Sequence, residues 1–97
     1  MSSLNRFVHA VVPLSGIVSI DPPSIGAAAV ATVSVTIAGV KASDIVLLEP
    51  PAALEATLSP KGWRAKDGGV DLDIYNAAGT VDGTARNWTY KIIRSYI

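Results

Sequence analysis

The chain contains no cysteine, which excludes disulfide staples, thiol nucleophiles and cysteine-ligated zinc. Its single histidine, His9, excludes a metal centre built from several imidazoles. Charge is scarce: 16% of the 97 residues are charged, and eight basic side chains balance eight acidic ones. With no basic surplus there is no electrostatic footprint for DNA, RNA or anionic lipid. Long apolar runs are also missing. No stretch reaches the ~18 uninterrupted apolar residues that a membrane-spanning helix needs. The segment from Phe7 to Ile20 behind Arg6 is broken by His9, Pro13, Ser15 and Ser19, which a secretory signal avoids. Six prolines and eight glycines are spread along the chain, so few windows between them reach the ~10–12 residues of an ordinary helix.

What is present is apolar. Hydrophobic residues make up 49% of the sequence and the mean hydropathy is +0.39, which excludes disorder and predicts one folded domain over residues 1–97. The apolar spacing is two. Val33, Val35 and Ile37 alternate with Ser34 and Thr36; Val70, Leu72 and Ile74 with Asp71 and Asp73; Trp88, Tyr90 and Ile92 with Thr89 and Lys91. Successive strand side chains point to opposite faces, so each run reads as a half-buried strand. Further strands are expected at Phe7–Val12, Ile17–Ile20 and Trp63–Lys66. Ile45–Leu48 is apolar at every position and reads as a strand covered on both sides, ended by Pro50-Pro51. Asp67-Gly68-Gly69 marks a hairpin, Asp21 to Ser24 a turn, and Ala52 to Leu58 a loop or a single helical turn. The expectation is an all-β fold, a small antiparallel β-sandwich or barrel of about seven short strands. Its core is predicted at Val35, Ile37, Leu47, Leu72, Ile74, Trp88 and Ile92.

Candidate chemistry is sparse. Asp71 and Asp73 share a strand face about 6.6–7 Å apart along the chain. That spacing suits a calcium ion or the paired carboxylates of a glycosidase, but calcium wants six to eight oxygens, and only Asp67 and Asn76 lie near in sequence. The alternating pattern favours a solvated strand face. His9 alternates with Phe7 and Val11 as a strand-face residue, with no nucleophile and carboxylate that sequence can place beside it. No nucleophile elbow, P-loop or dinucleotide fingerprint appears. The reading is therefore non-enzymatic, with no catalytic residue, metal or cofactor. The aromatics Trp63, Tyr75 and Trp88 could stack on sugar rings, although Trp88 and Tyr90 fall on the core parity of their strand. Trp63, after Lys61-Gly62, reads as a surface aromatic or a lid over one end of the sandwich.

The apolar excess points to association. A small domain of zero net charge with apolar residues on both parities of Ile45–Leu48, with Ile93 on the solvent parity, and with Tyr96 and Ile97 beyond it, carries more apolar area than one core covers. A homo-oligomer or a larger lattice covers it, and Ile93, Tyr96 and Ile97 are the candidate subunit-interface residues.

One pattern runs from Ala29 to Arg94. It comprises VSVTIAGVKASDIVLLEPP at positions 33–51, Leu54 and Leu58, GVDLDIYN at 69–76, Val81-Asp82 and WTYKI at 88–92. It resembles small structural proteins of tailed bacteriophages: capsid decoration (cement) proteins and the β-domains of head fibres or spikes. The resemblance implies a virion protein on the capsid exterior, made in the host bacterial cytoplasm, trimeric and bound to the major capsid protein. Residues 1–28 fall outside it. They include the possible attachment arm, residues 1–7, in which Leu4, Arg6 and Phe7 are the candidate capsid contacts. Within the same resemblance, the alternative is a head-fibre or spike module recognising host-surface glycan through Trp63, Tyr75 or Trp88.

Overall fold

A computed structural model describes residues 14–94 of the chain. The expected strand at Phe7–Val12, His9, the candidate contacts Leu4, Arg6 and Phe7, and the candidate interface residues Tyr96 and Ile97 lie outside the described residues.

The described chain is all-β, with eight antiparallel strands and no helix. They are β1 (Leu14–Ile20), β2 (Ser24–Ile25), β3 (Ala29–Thr36), β4 (Ile45–Glu49), β5 (Leu58–Lys66), β6 (Gly69–Asn76), β7 (Val81–Asp82) and β8 (Arg86–Ile93). Two three-stranded sheets, ordered β1-β8-β4 and β3-β6-β5, share one core, and β2 and β7 form a two-residue ribbon. Each sheet has its most apolar alternating strand in the middle. Val70, Leu72 and Ile74 of β6 are 0% exposed, as is Trp88 of β8, with Ile92 at 1%. A central strand is flanked on both edges, so its inward side chains meet neighbours in every direction, which is why these positions bury completely. Val35 and Ile37 join the same core. Among the described residues the buried Trp88 Nε1 has no acceptor.

The β5–β6 hairpin forms at the expected place. Lys66 pairs with Gly69, and Gly68 takes the positive φ of 86° that closes the turn. Gly69 has a different reason to be glycine, because a Cβ there would collide with the Val35 carbonyl oxygen of β3. The Gly68 amide donates to the Val40 carbonyl (2.7 Å) and its carbonyl accepts from Ile37 (2.9 Å). The Asp67 carboxylate accepts from the Ala42 amide (3.0 Å). The hairpin tip is thereby fastened to the β3–β4 connection.

Three departures from the sequence reading have physical causes. First, Leu47 is not core. It is 47% exposed, while Val46 and Leu48 are buried at 4% and 7%. An all-apolar strand offers no alternation to choose between its faces. The choice falls to its pairing with β8, where Val46 sits beside Ile92 and Leu48 beside Tyr90 on the inner face. Ile45, at 59%, is exposed with Leu47, so β4 is not covered on both sides among the described residues. Second, β5 begins at Leu58 and runs through Pro60. Only β6 pairs with this edge strand, and a register shift between Pro60 and Gly62 absorbs the proline. Third, the ribbon strands β2 and β7 match no expected strand, because two residues carry no periodicity; β2 begins at Ser24, the last residue of the expected turn.

Candidate functional site

The two sheets present opposite outer surfaces to solvent. On β3-β6-β5 most outward residues are polar and partner one another, with Val30, 43% exposed, beside Tyr75 at one end. The Asp73 carboxylate accepts from Thr32 Oγ1 (2.6 Å) and from Arg64 Nη1 (3.1 Å). Lys66 Nζ donates to Asp71 Oδ1 (2.7 Å) and to Ser34 Oγ (2.6 Å). The Thr32 hydroxyl, and then the Arg64 guanidinium, hold the Asp73 carboxyl below its usual range. The pair Asp71 and Asp73 is thus a solvated face stitched to its flanking strands. Asp67 is engaged at the hairpin tip, and Asn76 is wholly buried. Among the described residues no three carboxylates or imidazoles converge.

On β1-β8-β4 the outer face carries exposed aliphatic side chains among polar ones. Ile17, Ile45, Leu47 and Ile93 are 69%, 59%, 47% and 43% exposed. The register makes Ile45 and Ile93 direct neighbours, with Leu47 beside Lys91 and Ile17 beside Thr89. Single exposed aliphatics are ordinary; here Ile45, Ile93 and Leu47 adjoin across the β4–β8 pair, and Ile17 stands apart on β1. Of the sequence-derived interface residues, the structure places Ile93 in this cluster and adds Ile45, Leu47 and Ile17. The signal for the additions was present in the double-sided apolarity of β4, but the outward parity was not.

The aromatics are distributed unequally. Trp88 is fully buried, so it is no ligand platform. Trp63 is half-buried against the core and its Nε1 donates to the Val46 carbonyl (2.6 Å), joining β5 to β4 across the two sheets. Tyr75 is half-buried, beside Val30 of β3 and Ser59 of β5, and lines a shallow depression with Pro60 and Lys61.

Two buried polar groups escaped the sequence reading. Asp44 enters β4 with its side chain 1% exposed, accepting from Arg94 Nε (2.8 Å) and Nη2 (2.7 Å) and from the Lys41 amide (2.9 Å). Arg94, just beyond β8, also donates to the Gly39 carbonyl (2.6 Å). The forked hydrogen bonds from Arg94 bring the Asp44 carboxyl down to about 2 against the opposing effect of burial. The pair anchors Ile93 and Ile45 by fixing the adjoining ends of β8 and β4. Asn76, 0% exposed, directs Nδ2 at the carbonyls of Ile25 (2.8 Å) and Gly79 (2.6 Å), and Oδ1 accepts from the Ala78 amide (3.3 Å). It ties the end of β6 to β2 and to the loop before β7. Both residues hold the frame. No protein family, curated protein or solved structure matches the chain.

Proposed function

We propose that this domain is a non-enzymatic structural protein of a tailed-bacteriophage virion that decorates the outside of the capsid shell, self-associating while bound to the major capsid protein. The observation that supports an assembly role is the contrast between the two outer faces: one satisfies its charges internally, the other leaves four large aliphatic side chains to solvent. A protein that reinforces a shell needs no reaction centre. It needs surfaces that bury apolar area against neighbours, and many copies of a modest interface stabilise a lattice by avidity. The phage assignment itself rests on the sequence resemblance, as does the threefold symmetry that resemblance implies.

The test is immunogold labelling of virus particles released by the organism that encodes the gene, with an antibody against the purified chain. Label over the whole capsid exterior, with mass-spectrometric copy numbers comparable to the shell subunit, is the expected result. Label at one vertex, along a tail, or absent from particles overturns the decoration reading.

A further inference from the structure

The outer face of β1-β8-β4 carries two charged side chains beside its aliphatic cluster, Lys91 on β8 and Glu49 on β4, both exposed. Neither enters an ion pair among the described residues. The opposite sheet behaves differently, since Arg64 and Lys66 there are paired with Asp73 and Asp71. Lys91 neighbours Leu47, and Glu49 neighbours Thr89, so cation and anion lie diagonally across the β8–β4 seam.

We propose that a second copy of this chain covers this face, packed sheet on sheet about a twofold axis that runs parallel to the strands along the β8–β4 seam. This rests on the assembly reading above and names its homotypic contact. A twofold interface pairs residue i with j and j with i, and this seam is self-complementary in that sense. The axis exchanges the two columns, which sets Ile45 of each copy against Ile93 of the other. Leu47 of each copy meets the aliphatic stem of the other's Lys91, and Glu49 meets the other's Thr89. Thr89 stands two residues from Lys91 on the same strand face, about 7 Å away. A lysine side chain laid over leucine spans that distance with its stem buried and its ammonium free, so Lys91 reaches the second copy's Glu49, twice by symmetry. Charges without an ion pair among the described residues become paired between two copies. Ile17, on the far strand β1, lies outside this seam. The footprint is only two strands wide, narrow for a standard interface, so a weak association of roughly 0.1–1 mM is expected. A face-to-face pair is a dimer, in contrast to the trimer implied by resemblance.

Sedimentation equilibrium of the purified chain up to about 1 mM tests this. The wild type is expected to form dimers that weaken as salt is raised. Leu47→Lys is expected to be monomeric. Lys91→Glu and Glu49→Lys are each expected to weaken dimerisation by about tenfold, because each places like charges opposite one another. The double variant Lys91→Glu/Glu49→Lys is expected to regain most of the wild-type affinity. All three positions point outward, and thermal melts within a few degrees of wild type confirm that each variant is folded. A wild-type monomer at ~1 mM, a trimer, or a double variant no better than the single ones overturns the proposal. Dimers from a chain that fails to label capsids retain this contact and remove the decoration reading; capsid label from a monomeric chain does the reverse.

Discussion

Asp44 supplies the sharpest test of how the frame is held. Its carboxylate receives two hydrogen bonds from Arg94 and one from the Lys41 amide, with its side chain almost entirely out of water. A carboxyl held at about 2 instead of 3.8 stabilises the native state at neutral pH by about 2 kcal/mol, taking about 1.36 kcal/mol per pH unit. Asp44→Asn removes the charge and leaves the Arg94 guanidinium facing an amide. Arg94 is 21% exposed, so water relieves part of its loss, and the cost is expected near 2 kcal/mol, below the ~3–5 of a fully enclosed broken pair. The sign of the pH dependence follows from the lowered value. The contribution is complete above 3.8, the unfolded-chain value, and is lost as pH falls through about 2. Urea denaturation of wild type and variant should therefore show a gap of about 1–2 M in midpoint at pH 7, closing between roughly pH 4 and pH 2. A gap that stays constant across that range would refute the charge-based account. A gap below ~0.5 kcal/mol at pH 7 would show that the pair contributes no more than an exposed one.

Three further outcomes are expected. Asn76→Asp replaces a buried donor by an acceptor aimed at the Ile25 and Gly79 carbonyls, and should lose about 3 kcal/mol or more at pH 7 by denaturant titration; a wild-type midpoint would mean that those carbonyls are satisfied otherwise. Ala28 holds a φ of 57°, in the turn closed by Ala29 N–H to the Gly26 carbonyl (3.2 Å), so Ala28→Gly should stabilise the fold by about 0.5–1 kcal/mol and raise the melting temperature, and Ala28→Val should lower it. Leu72→Ala at a 0% exposed site should cost about 2–5 kcal/mol, whereas Leu47→Ala on the outer face should change monomer stability by about 0.5 kcal/mol or less; equal losses at the two positions would place β4 in the wrong register.

The sequence by itself determined the all-β character, the inward faces of β3, β6 and β8, and the hairpin at Gly68, because each rests on local alternation or on a residue with special backbone freedom. It also carried the apolar surplus. The tertiary structure alone decided where that surplus goes. The four residues Ile45–Leu48 are apolar throughout, so nothing local separates Leu47 from Val46 and Leu48. Only pairing with β8, whose own alternation sets the inner face at Trp88 and Ile92, turns Leu47 and Ile45 outward beside Ile93. The same holds for Pro60, which a strand tolerates only at an edge. Asp44 and Asn76 find their partners 50 and 51 residues away, in Arg94 and Ile25. Buried polar groups are matched by distance in space, and a one-dimensional pattern holds no record of which carbonyl or guanidinium will stand opposite.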